Sequence, residues 1–521
     1  MKSGAARFTP LDLGALLALA VLALLNLAMP FTWDQALFAL GAKSVAHGGV
    51  LYRDYWDTKQ PGVFVFYALG GRLFGFHEVG VHAFEMLWQL AFGFAAIQVL
   101  RRAVTHRAIA SLAPLLAVGL YYAVSDDVKL TQVEALVGLP LLLTLWVALP
   151  ADDGRPAGAP RFLLSGVLGG VVLLFKLMFA PLVAGLWLVL AVDAMRRARA
   201  TPMRILLGMA LPAALGLALP LAGTVAYFRA EGAWTQAWST WIDFPLRVAR
   251  GSHGFRLGNL VEGVSWYAFR FAPVLAVGAL GLFTARDGTR RVVAWASAAW
   301  FALGLLVILS QRMSWWPYQY LLLIAPAGLL ATLGVDAIWS RAASLAAPAT
   351  ARVRLAAWLL GALALSGAFG AQGLKVLQLA RARFAVDARH RVAFQSAVAT
   401  QMPYALVRDE VAFLSRPDAA SGSVYFLANP LFEFFAGRET ACGHNAAILT
   451  RFISADEWTL IAGALAERAP AYVFIEKQLV PIVDECRPRS APFLDLLAAR
   501  YHVLRRTDRG TWYAKGPAAA S

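Results

Sequence analysis

Cysteine is nearly absent: Cys442 and Cys486 are the only two in 521 residues, and no Cys-x-x-Cys spacing occurs. That argues against a thiolate metal module and leaves room for at most one disulfide. Charge is scarce as well. Asp, Glu, Lys and Arg make up 15% of the chain against ~25% in a soluble domain, and hydrophobic residues make up 59% against ~45–50%. With a mean hydropathy of +0.60, the composition is that of a membrane protein. Acids are fewer than bases, 31 to 47. The excess of +16 does not point to nucleic acid, because no basic, aromatic-interleaved soluble face is present. Arg-rich short loops beside anionic membrane lipids account for it. Internal repeats, low-complexity tracts and a P-loop are also missing.

What the chain has is apolar runs. They fall at roughly 11–31, 84–100, 108–124, 132–149, 162–176, 180–195, 205–227, 264–284, 292–310, 320–339 and 355–374, about eleven spans of ~20 residues each. Phe162 to Met195 would be ~51 Å long as one helix, more than a ~30 Å hydrocarbon core. A hairpin is therefore expected, with Lys176 and Pro181 near its turn. The first run has no small-residue cleavage site before Trp33 and reads as an uncleaved span. Loops holding Arg101, Arg102 and Arg107, then Arg196 to Arg204, Arg286 to Arg291 and Arg341 to Arg354, alternate with acidic, aromatic-rich loops. Lys and Arg concentrate on the cytoplasmic side. The N-terminus is thus expected inside, with loops 32–83, 125–131, 229–263 and 311–319 outside.

The chain divides by composition into a transmembrane domain, 1–374, and an extracytoplasmic domain, 375–521. In the second, 423–428 and 471–476 read as buried strands, and 501–506 and 511–515 as a hairpin around Asp508-Arg509-Gly510. Helical patterns near 386–414, 456–468 and 491–499 complete a small α/β domain. Both cysteines lie in it, and whether they pair is left open.

Ionisable groups where a helix leaves the bilayer mark functional sites. Asp34 ends the first apolar run at Trp33-Asp34-Gln35. It suits a general base at the membrane edge and equally a helix N-cap. Asp54, Asp57 and Lys59 lie within six residues of one another, a set able to hold a divalent cation or a phosphate, or to be a solvated loop. Asp126, Asp127 and Glu134 are further candidates for an acceptor or metal site. A divalent metal ion is the one cofactor left open. Lys176 and Arg312 are cations at outer helix ends, suited to snorkelling or to a phosphate group. Tyr52, Trp56, Tyr318 and Tyr320 are candidates for sugar or lipid contact, since interfacial aromatics form belts and also stack on sugar rings. Segment 229–263, with Trp234, Trp238, Trp241, Arg247 and Arg250, reads as an amphipathic stretch on the outer leaflet.

An Asp after the first span, the segment Tyr52-Arg53-Asp54-x-x-Asp57-x-Lys59-x-Pro61-Gly62 and the run ending Leu73-Phe74-Gly75 resemble the GT-C superfamily of membrane glycosyltransferases. The similarity is greatest to the group of protein O-mannosyltransferases and lipid A aminoarabinose transferases. The resemblance implies a polytopic α-helical fold of about eleven transmembrane helices with the C-terminal α/β domain outside the inner membrane. It implies a polyprenyl-phosphate-linked sugar donor, a lipid, glycan or protein acceptor, and inverting transfer. It assigns Asp34 as catalytic base, Lys59 to the donor phosphate, and Asp126 or Asp127 to the second-loop acid. This sequence departs at Gln35, where the family has Glu, and at Gln60, where it has Pro. It departs again at Gln319-Tyr320, where the family has His-Tyr after its Arg, here Arg312. A secondary transporter and a non-catalytic scaffold are the rival readings; the first calls for repeats and charges near mid-membrane.

Overall fold

The computed structural model describes residues 8–516, except 152–153, 252–256, 312–314, 345–348, 365–394, 396–397, 401 and 446. The chain forms two compact units. The first comprises Met1–Ala28, Val79–Thr224 and Gly254–Ala385, and the second Met29–Glu78, Val225–His253 and Val386–Ser521.

The first unit is a helical membrane bundle. Among the described residues, seven helices are long and apolar enough to cross a bilayer, and four shorter apolar ones occur: α1 (Pro10–Leu24), Pro61–Phe74, Val133–Ala148 and Ala159–Phe175. Leu211, Leu215 and Leu219 on Pro202–Ala230 are exposed, as expected of a face against lipid. Pro317–Ser344 is by contrast largely buried. Gly334 lets this helix approach closely, since a Cβ there would lie 2.0 Å from the Val277 carbonyl. Small residues at such crossings are how membrane helices pack. The expected hairpin forms: Ala159–Phe175 ends at Lys176, whose extended backbone breaks the helix before Ala180–Ala198. The Arg-rich loops carry internal partners. Arg101 pairs with buried Asp12. Arg290 pairs with Asp336, which also accepts the Thr105 and His106 amides at 3.0 and 2.9 Å. Arg197 and Arg291 share Asp193 at 2.8 and 3.0 Å.

The second unit joins the first loop and the 225–253 segment to the C-terminal part. The first loop holds two helices. It contains α2 (Trp33–Ala46) and α3 (Pro61–Phe74), the latter begun by Pro61 at its first position, where a missing N–H costs nothing. The C-terminal strands are β1 (Val424–Leu427), β2 (Tyr472–Glu476), β3 (Tyr501–Arg506) and β4 (Gly510–Lys515), in spatial order β1-β2-β4-β3. β1 and β2 are parallel and wholly buried, while β4 runs antiparallel to both β2 and β3. Cys442 and Cys486 are both buried free thiols. Burial pushes the Cys442 thiol up to about 11. Within the 229–263 stretch, the second unit contains the short helices Trp234–Trp238 and Phe244–Gly251. Phe244 enters the core beside Trp458 and Val473, and Arg247 pairs with Glu457 at 2.9 Å.

Two buried features of this unit yield predictions. Gly443 lies against the first loop, where a Cβ would sit 2.0 Å from the Asp54 carbonyl oxygen. Gly443→Ala should therefore destabilise the protein by about 1–3 kcal/mol, read as a lowered unfolding midpoint. Glu433 is buried, and burial pushes its carboxyl up from 4.5 to about 7, against the opposing hydrogen bond from Asn445. A raised pKa means the folded state favours the proton. This contribution is therefore full below pH 4.5 and is lost as pH rises through 7. Between pH 5 and 8 the difference in stability between Glu433→Gln and the parent should shift by about 2–3 kcal/mol in favour of Gln, measured by unfolding in detergent.

Candidate functional site

In the second unit the candidates gather around the N-terminus of α2. The sequence allowed Asp34 to be a helix cap. Capping falls instead to Thr32 and Gln35: the Thr32 amide donates to Gln35 Oε1 at 3.0 Å, and the Thr32 hydroxyl also reaches that oxygen. A neutral amide suffices for this reciprocal bond, which gives Gln35 a structural role at this position. Asp34 sits half-buried in the first turn.

Asp57 is 6% exposed. Its Oδ1 accepts from the Thr58 amide, and its Oδ2 has no hydrogen-bond partner among the described residues. Burial pushes the Asp57 carboxyl above its ordinary range; the Lys59 charge opposes this and the Asp34 charge adds to it. Two carboxylates thus act on one another beside a single lysine, and like charges so placed resist joint ionisation. The Lys59 amine stands 5.6 Å from the centroid of the Phe38 ring. The backbone carrying it is fixed by the Tyr52 hydroxyl, which donates to the Lys59 carbonyl at 2.7 Å.

Other first-loop candidates have structural partners. Asp54 pairs with Arg53 at 2.9 Å and accepts the Val50 amide at 2.8 Å. Tyr52 and Trp56, read from sequence as sugar or lipid contacts, are buried at 4% and 6% exposure. Tyr52 accepts from the Trp241 indole at 2.8 Å and packs on Phe228. Trp56 stacks on His444 with centroids 4.2 Å apart, and its indole donates to the Thr240 hydroxyl at 3.2 Å. Both rings are packing elements that hold the loop in shape.

In the first unit the structure brings together residues read separately. Lys176 pairs with buried Glu134 at 2.9 Å and donates to Gln311 Oε1 at 2.9 Å. Gln319 donates to that same Gln311 oxygen at 3.2 Å. Gln311 was missed in the sequence, where nothing set it apart from a polar loop residue. Asp126 pairs with Lys129 and accepts the Val128 and Lys129 amides at 3.1 and 3.2 Å, the pattern of a turn cap. Asp127 is wholly buried. Tyr318 is half-buried, and Tyr320, 1% exposed, stacks on Tyr267 at 6.0 Å. Arg312 lies outside the described residues. Among those described, no three His, Cys, Asp or Glu side chains gather as a metal site.

No protein-family model matches the chain, and no curated protein does. Solved structures do. ArnT from Cupriavidus metallidurans bound to undecaprenyl phosphate superposes with a TM-score of 0.56 at 15% identity, covering 98% of each chain. The same protein in the apo state gives 0.55 at 16% identity, covering 97% of this chain and 99% of that one. At such identity the likeness establishes the fold: a polytopic helical membrane protein with a small C-terminal sheet domain, from one end of the chain to the other.

Proposed function

We propose that this chain is an inverting glycosyltransferase of the inner membrane. It would move a sugar from a polyprenyl-phosphate carrier to an acceptor hydroxyl on the outer face. The observation that carries the reading is the first-loop cluster: a buried, partnerless Asp57 oxygen with Asp34 and Lys59 in electrostatic range. The fold adds support, since a protein of that fold binds undecaprenyl phosphate.

In this reading Asp34 takes the proton of the acceptor hydroxyl as its oxygen attacks the anomeric carbon. The bond from that carbon to the carrier phosphate breaks, and the phosphate leaves with the electron pair. Lys59 receives the developing negative charge as a point cation. Asp57 is the buried carboxyl in electrostatic range of Lys59. Lys176 and Arg312 are proposed as further cations for the donor phosphate, and Asp127 and Glu134 as acids toward the acceptor. Mass spectrometry of surface glycolipids and glycoproteins from cells with and without the chain tests the reading. One sugar modification should disappear with the chain; an unchanged glycan inventory would contradict it.

A further inference from the structure

A cleft of about 510 Å³ lies in the second unit, at the end of α2 remote from Asp34. Lys43 in its wall is nine positions beyond Asp34, ~14 Å along a helix at 1.5 Å per residue. Its cationic wall at Lys43 is therefore set apart from Asp34 along the helix, while Tyr55 lines the side nearer Asp57.

Three cations border it: Lys43, Arg438 and Arg468. None lies within ion-pair distance of a carboxylate among the described residues. Arg438 is fastened by the Ala420 carbonyl at 2.6 Å and by the Leu414 carbonyl, bonds that fix its position and leave its charge uncompensated. Asp54 on the same rim pairs with Arg53 and also feels the Arg468 charge, and the exposed Glu439 offsets one cation. The interior differs from the rim. Phe76 and Phe434 offer half-buried aromatic rings, and Ser44, Thr440 and the buried Glu433 offer hydrogen-bonding groups. Aromatic faces receive the C–H face of a sugar ring, hydroxyls and a carboxyl pair with its hydroxyls, and a cationic rim takes a phosphate or carboxylate. The volume is that of a small-molecule site.

We infer that this cleft is a second site, one that binds an anionic saccharide: a sugar ring carrying a phosphate or carboxylate. The assignment concerns binding alone, so it stands or falls apart from the transfer reaction. The test titrates the full-length protein in nanodiscs with glucose 6-phosphate and with glucuronate, read by ligand-observed NMR. Glucose and inorganic phosphate, each alone, are the controls. At least one of the two anionic sugars should bind. Its affinity should fall at least tenfold in Lys43→Ala/Arg468→Ala, whose changes lie at exposed positions and leave the unfolding temperature unchanged. Absence of binding by both anionic sugars, equal binding to parent and double variant, or equal affinity for inorganic phosphate alone would overturn the inference.

Discussion

Asp34→Asn should leave the protein folded and reduce sugar transfer by roughly 10²–10⁴-fold, the range expected for loss of a general base. The substitution preserves shape at a half-buried position. It leaves the Thr32–Gln35 cap intact, so stability should change by less than about 0.5 kcal/mol. The measurement is initial transfer rate from a radiolabelled polyprenyl-phosphate sugar, alongside the unfolding temperature. A variant with parental rate would remove Asp34 from the mechanism. A variant that fails to fold would show that the side chain is structural.

Lys176→Met should destabilise the first unit by about 3–5 kcal/mol. It strands the Glu134 carboxylate, 4% exposed, without its cation. Adding Glu134→Gln removes the stranded charge and should restore most of the stability. The double variant separates the two roles of Lys176. Under the proposed phosphate role it folds and transfers more slowly than Glu134→Gln alone; a double variant that matches Glu134→Gln would confine Lys176 to holding Glu134. Unfolding midpoints report the first effect and transfer rates the second.

The fold was readable wherever a local pattern carried it. Apolar runs gave the membrane helices. The strands at 424–427 and 472–476 were legible because burial on both faces makes a strand uniformly apolar. The hairpin of β3 and β4 followed from its Gly-containing turn. α3 was not readable as a helix: at 14 residues it falls short of a span, and a charge-rich loop precedes it. The cap itself also lay in the sequence, since Thr32 and Gln35 have capping-box spacing.

Pairings between distant segments were the part that sequence did not show. Tyr52 and Trp56 looked like exposed aromatics because their partners, Trp241 and His444, lie far along the chain. Lys176 and Glu134 were two isolated charges until the bundle brought them to 2.9 Å. The boundary drawn near residue 375 followed composition, whereas the compact second unit also draws in 29–78 and 225–253. Composition records solvent and lipid exposure, not which loop packs on which domain.

Phosphorus NMR on the reconstituted protein tests the central claim most directly. Proteoliposomes containing polyprenyl-phosphate sugars and a crude envelope acceptor extract are followed over time. The account predicts that the carrier's phosphodiester resonance converts to a phosphomonoester, while the labelled sugar appears on the acceptor with inverted anomeric configuration. A diester signal that persists across a panel of donor sugars, in protein shown to be folded, would contradict it.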